Sequence, residues 1–370
     1  MADEISLEGV VNNHTVPEIE KLTDEVISVA ESKVLKFTDP PVYERINLMD
    51  EKGEITVEFP FMSSSGQRTA EFIGTTHNHN LVKEDIDKQK KHLLEKFKAY
   101  VANQNEKGAK PMLMIEGGRV TEYTSYEDAE AAPGEFAHLV WMAQQEGIPI
   151  YSPDTTAEDT LDIMEKSDYP QETIAFLECF KTMHVKVREK LNNKGEVKFS
   201  QFELVNLLAG VAERTHWQEK LDLISNLKTK YELLGEDHPE VRSVMDSFIH
   251  SALDGLNKQF MESTKAIDQG EGFPLFQING KDEKGNPAYT SLYDPVNHYQ
   301  PLLRPDTFAD DNLKTPMNQL SSDLGDLREK VVFNRISEKI KEGYDPFIVF
   351  GNSHAIKQAP ALEYIYKNLK

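Results

Sequence analysis

The chain has 370 residues, 39% hydrophobic and 28% charged, which suits one large domain with insertions or two domains. Acidic residues outnumber basic ones by 63 to 41, for a net charge of −22, and no basic footprint for a nucleic-acid backbone stands out. Cys179 is the single cysteine, so a disulfide framework is excluded and a reducing compartment fits. The opening Met1-Ala-Asp-Glu-Ile lacks the basic-then-apolar run of a secretory signal. No apolar run reaches the ~18 residues of a membrane span. A cytoplasmic protein with neither a nucleic-acid nor a membrane partner is the expectation.

Residues 1–16 read as a polar tail, and 17–33 carry apolar positions at helical spacing. Pro40-Pro41 breaks that pattern. In Glu54-Ile-Thr-Val-Glu-Phe, Ile55, Val57 and Phe59 share one face of a strand. After the turn Ser63-Ser-Ser-Gly-Gln, an apolar stretch returns at Thr69–Ile73, so a hairpin is expected over 54–75. It feeds Gly74-Thr-Thr-His77, followed by Asn-His79-Asn.

Residues 81–103 predict a charged amphipathic helix burying Ile86, Leu93, Leu94, Phe97 and Val101. The apolar run Pro111–Ile115 predicts a strand covered on both faces, ending at Glu116-Gly117-Gly118. A helix over 134–146 and a short strand, Ile148-Pro-Ile-Tyr151, lead to Ser152-Pro-Asp154. This alternation argues for βαβ units. Nearly everything from 157 to 268 reads helical, and 269–320 reads as a long irregular region. A helix over 324–340, the strand Pro346–Phe350, Gly351-Asn-Ser-His354 and a closing helix over 355–368 complete the chain. The expected architecture is therefore α/β: a mostly parallel central sheet flanked by helices, with a large helical insertion. Its parts are an N-terminal extension (1–53), a first core portion (54–160), an insertion and irregular cap (161–320), and a final core portion (321–370).

Two Gly-x-x-His frames, at His77 and His354, follow apolar strands. Glu116 and Asp154 also stand at strand ends, where an α/β sheet opens its crevice. Asp154 suits a helix cap as well. His77 and His79 suit a metal as a His-x-His pair, or His79 is a solvated loop residue. Gly117-Gly118 permits close approach of a ligand to the backbone, or makes a plain turn. Cys179 sits in a helical apolar pattern and reads as core. His298 falls in the irregular region, placed to line the crevice from the cap. No nucleotide-binding glycine motif, HExxH frame or nucleophile elbow occurs.

Gly-Thr-Thr-His77-Asn-His-Asn, Met-Leu-Met-Ile-Glu116-Gly, Ile-Pro-Ile-Tyr-Ser-Pro-Asp154, Asn334-Arg335-Ile-Ser-Glu-Lys-Ile and Phe-Ile-Val-Phe-Gly-Asn-Ser-His354 occur in that order. Together they resemble the superfamily joining erythromycin esterases, ChaN-like proteins and the TraB/Tiki group. The resemblance spans roughly 68–165 and 322–370. It implies a parallel-sheet α/β fold with a hydrolase-like site built from His77, Glu116 and His354, with Arg335 as the site arginine. Members often read Arg-Asn or Arg-Asp where this helix reads Asn334-Arg335, and Arg328 is the alternative. His79, Gly117, Asp154 and His298 are the candidate substrate contacts. The expected activity is hydrolysis of an ester or amide in a small molecule or peptide. His77, Glu116 and His354 are the candidates to hold a divalent metal ion, should one assist. The alternative is a haem- or metal-sequestering protein without turnover.

Overall fold

The computed structural model describes residues 21–36, 38–77, 81–117, 121–132, 136–191, 197–235, 238–268, 274–281, 287–292 and 315–369. Helices α1 (Asp24–Glu31) and α2 (Pro40–Lys52) come first. The first helix ends at Glu31, before Pro40 and Pro41 as expected, and the two prolines open α2 in its first turn. A backbone N–H there has no intrahelical partner, so proline forfeits nothing and its fixed φ suits the helix. Strands β1 (Thr56–Met62) and β2 (Thr69–Thr75) pair antiparallel, Thr56 opposite Thr75, as the expected hairpin.

Next come α3 (Lys83–Lys107), β3 (Lys110–Ile115), α4 (Tyr126–Ala131), α5 (Ala137–Gln145) and β4 (Ile150–Tyr151). Then follow α6 (Ala157–Lys166), α7 (Gln171–Leu191), β5 (Lys198–Ser200), α8 (Gln201–Arg214), α9 (Gln218–Leu234) and α10 (Pro239–Asp268). Strands β6 (Phe276–Lys281) and β7 (Pro287–Ser291) precede α11 (Pro316–Lys341), β8 (Tyr344–Gly351) and α12 (Asn352–Lys367). Among the described residues no helix is long and apolar enough to cross a membrane.

The main sheet has the order β1-β2-β8-β3-β4. Only β1 runs antiparallel; β2, β8, β3 and β4 are parallel neighbours. The last strand in the chain is thus the middle strand of the sheet. Its residues from Asp345 to Gly351 are all buried, as a central parallel strand requires. Phe347 and Val349 face α3 and α5, packing with Ile73, Leu93, Phe97, Leu113 and Leu139. Ile348 and Phe350 face the other way, into Phe72, Met114, Val332, Phe333, Ile336 and Leu362. Each large side chain buried this way contributes roughly 1.5–3 kcal/mol.

A second hydrophobic core gathers α6 to α10 around Phe176, Phe180, Leu208, Phe248 and Phe260. Buried Cys179 belongs to it, and burial pushes its thiol up to about 12. A three-stranded antiparallel sheet, β5-β7-β6, adjoins this core. Its strands lie where the sequence read helix (β5) or irregular chain (β6 and β7). They hold three to six residues each, too few for an alternation to register. Helix α11 belongs to both cores. Met317, Leu320 and Leu324 lie in the helical one, and Val332, Phe333, Ile336 and Ile340 lie against the main sheet.

Gly74 in β2 is where the first Gly-x-x-His frame meets the second. A Cβ there would lie 2.6 Å from Val57 Cγ1 and 2.8 Å from Asn352 Cα, which is backbone and cannot rotate away. Gly74→Ala is therefore expected to destabilise the protein by ~1–3 kcal/mol or more. Gly108→Ala, at φ +62 with open space around it, is the comparison and should show only the cost of its backbone conformation, about 1 kcal/mol. Urea denaturation of both variants measures the difference; equal losses would contradict the packing argument.

Candidate functional site

The two Gly-x-x-His turns are neighbours because β2 and β8 pair in parallel, with Thr75 opposite Gly351. Gly351 ends β8 and is the N-cap of α12. A Cβ on it would stand 3.1 Å from His77 Nε2, 3.4 Å from Glu116 Oε2 and 3.5 Å from His354 Cδ2. These three side chains therefore surround one point at the C-terminal edge of the parallel strands, and a glycine leaves room for them. The first turn is tied down from two sides. Asn352 Nδ2 donates to Thr76 Oγ1 at 3.0 Å, and Gln89 Nε2 donates to Thr76 O at 3.1 Å.

Glu116 extends the β3 register by one residue, its N–H donating to Val349 O at 3.0 Å. Its Oε2 accepts from Gly351 N–H at 2.7 Å, which satisfies a backbone donor where the ladder stops. Its Oε1 lies 3.3 Å from Arg328 Nη2 and 3.4 Å from His354 Nε2. Arg328 Nη1 is 3.3 Å from the same His354 Nε2. Arg328 also grips Asp154 Oδ1 through Nε at 2.9 Å and Nη2 at 2.7 Å. Burial works to lower the guanidinium's affinity for its proton, but the charges of Asp154 and Glu116 more than offset it and the pKa is raised.

The predicted residues thus divide by position. His77, Glu116 and His354 meet at Gly351. Asp154 joins them through Arg328, and Gly117 N–H donates to Asp154 Oδ2 at 3.3 Å. Gly117 has φ +106, a conformation that favours glycine. Arg335 stands one shell out. Its Nη1 donates to Asp154 O at 2.6 Å and its Nη2 pairs with Asp159 Oδ1 at 2.7 Å. The arginine that reaches Glu116 and His354 is Arg328, and Arg335 braces the loop beneath it. His79, Gly118 and His298 lie outside the described residues.

Sequence reading missed the groups behind His354. Glu329 of α11, with 1% of its side chain exposed, takes a short hydrogen bond from His354 Nδ1 on Oε1. Lys357 Nζ, fully buried on α12, is 2.5 Å from the same oxygen. Gln358 Nε2 donates to Glu329 Oε2 at 2.8 Å and to Glu329 O at 2.9 Å. Burial alone would raise the Glu329 carboxyl, but the facing His354 and Lys357 outweigh it and hold the pKa well below the usual carboxylate range. Burial depresses Lys357 despite the pull of Glu329. The available signal was weak: charged residues standing within the apolar stripes of two helices, next to Val332 and Ile356.

Among the described residues the donor set does not fit a metal ion: no group of three or more His, Cys, Asp or Glu side chains is arranged to hold one. His354 Nδ1 is taken by Glu329, and Nε2 faces the Arg328 guanidinium at 3.3 Å. Glu116 has one oxygen on a backbone N–H and the other facing the same guanidinium. A fixed cation against both donors opposes a second, divalent one.

Removing one partner of a buried ion pair leaves the other charge uncompensated. Glu329→Ala is therefore expected to cost ~3–5 kcal/mol, and Glu329→Gln less, because the amide keeps the volume and a hydrogen bond. The loss depends on pH with a definite sign. The folded pKa of Glu329 lies below its ordinary value of 4.5, so its contribution is complete above about pH 4.5 and is lost as pH falls toward the folded value. Urea midpoints for wild type and Glu329→Gln should converge between pH 6 and pH 3; a constant gap would show that the charge contributes nothing.

No protein-family model, no curated protein and no solved structure matches this chain.

Proposed function

We propose that the crevice at Gly351 hydrolyses an ester or amide bond in a small molecule or peptide. The observation that carries this reading is the pair of contacts on His354. Its Nε2 stands 3.4 Å from Glu116 Oε1 and 3.3 Å from Arg328 Nη1, while Nδ1 is held by a buried carboxylate. An imidazole oriented from behind, with its other nitrogen at a crevice, is suited to take a proton from water.

In this reading Arg328 Nη1 leaves Nε2 for the substrate oxygen, water takes its place at Nε2, and His354 removes the water's proton as it attacks the substrate carbonyl. Glu116 accepts a hydrogen bond from that water and stabilises the imidazolium that forms. Arg328, already aimed at Nε2 and Glu116, donates to the oxygen on which negative charge develops. Asp154 fixes the guanidinium by accepting from both Nε and Nη2. His77, whose Nε2 comes within 3.1 Å of where a Gly351 Cβ would stand, is our candidate to hand a proton to the leaving group. The strand-end motifs are those for which the resemblance to the erythromycin esterase, ChaN-like and TraB/Tiki superfamily was noted. Helices α6 to α10 are read as a large insertion in the α/β core that caps the crevice.

The test is turnover of a panel of p-nitrophenyl esters and chromogenic amides by the purified chain. His354→Ala and Glu116→Gln should each lower kcat/KM by at least about 10²-fold, the usual share of a positioned acid or base. Both variants should keep the wild-type circular dichroism. Uptake of haem or a metal ion with no hydrolysis, or hydrolysis indifferent to both substitutions, would overturn the proposal.

A further inference from the structure

Two charged groups of α11 hold His354, a third stands at the end of the strand beside it, and a fourth backs one of the two. Glu329 meets Nδ1 from α11 and Arg328 meets Nε2 from the same helix. Glu116 stands 3.4 Å from Nε2 at the end of β3, without hydrogen bonding to it. Lys357, one turn along α12, touches the Glu329 oxygen that bonds the ring. Asp326 and Arg328 act on Lys357 in opposite directions. His77 Nε2 comes within 3.1 Å of where a Gly351 Cβ would stand.

An ionised carboxylate can only accept, and a guanidinium can only donate. Glu329 therefore requires a proton on Nδ1, and Arg328 requires a lone pair on Nε2. The two demands agree on a single neutral tautomer. Nothing in helix packing asks for this. Two charges removed from water cost several kcal/mol each, and apolar residues of similar volume would join α11 to α12 as well or better. Lys357 and Gln358 occupy the remaining positions around the carboxylate, one on each oxygen. With Lys357 supplying the neutralising charge, the imidazole need not supply it.

We propose that Glu329 is a positioning residue for His354: it accepts the hydrogen bond from Nδ1–H and so leaves the lone pair on Nε2, facing Arg328 and Glu116, while Lys357 and Gln358 hold the carboxylate in place. The kinetic consequence rests on the hydrolytic reading; the tautomer does not. If Glu329 were only a fastener between two helices, its replacement would alter stability and leave the ring's protons where they were.

The experiment is a long-range proton–nitrogen spectrum of the full chain labelled with nitrogen-15 histidine, at pH 7 without substrate. His354→Ala identifies the His354 signals. The wild-type ring is expected to show Nδ1–H and a bare Nε2, as one tautomer. In Glu329→Gln the two nitrogen shifts should draw together as both tautomers populate. Where the panel finds a substrate, Glu329→Gln should lower kcat by at least about 10²-fold with KM little changed. An Nε2–H tautomer in the wild type overturns the proposal, even if Glu329→Gln does not fold. An unchanged ring spectrum in Glu329→Gln overturns it too. Failure to find any substrate would count against the hydrolytic reading alone.

Discussion

Everything at the site follows from the parallel pairing of β8 between β2 and β3. Thr75 meets Gly351 across one ladder, and Ile115 meets Val349 across the other. Those two registers bring the ends of three strands level. Strand side chains alternate between faces, so a slip of one residue would turn every inward group outward. The apolar layers on both faces hold the register against such a slip. Phe347 stacks edge-on to Phe97 at 5.2 Å, and Phe350 meets Phe72 at 6.0 Å on the opposite face. At the far edge of the sheet, Arg68 pairs with buried Asp345, and Tyr100 hydrogen bonds to Asp345 O. That network anchors the entry of β8, and the site forms at its exit.

The parts of this arrangement that could be read in advance share a physical cause. β3 and β8 carry the apolar runs Pro111–Ile115 and Pro346–Phe350 and β2 a largely apolar one broken by Glu71, because both faces of the sheet are covered, and such a run ending near a glycine announces its own end. His77, Glu116 and His354 could be nominated because each follows such a run. The parts that could not be read depend on contacts distant in sequence. The Arg328–Asp154 pair spans 174 positions. Glu329 lies in a run of charged residues, Asp326, Arg328, Glu329 and Lys330, that resembles a solvated helix face. Its burial comes from α12 packing against it. The same holds for the choice of arginine: Arg328 and Arg335 lie seven residues apart, on one side of α11. Only the placement of Asp154 and Asp159 tells which of them reaches the crevice and which supports it.

The charges at the site are arranged to satisfy one another rather than to attract a free ion. Glu116 and Asp154 share Arg328, Asp159 has Arg335, and Glu329 has Lys357 and His354. In a chain with a net charge of −22, this matching keeps the crevice from acting as a cation trap. It also fixes the side chains in place, each carboxylate against a basic partner.

Helix α11 runs from one hydrophobic core into the other, and Arg328 and Glu329 sit where it passes between them. Over its 26 residues it measures about 39 Å, long enough to act as a lever. Its upper part is clamped by Tyr169 O–H, which donates to Asp323 Oδ2 at 2.6 Å, and its lower part is clamped by the sheet. Any tilt of the helical body relative to the sheet must pass through the turn that carries the guanidinium and the carboxylate. The two hydrophobic cores are thus joined through the same turn of helix that meets both nitrogens of His354.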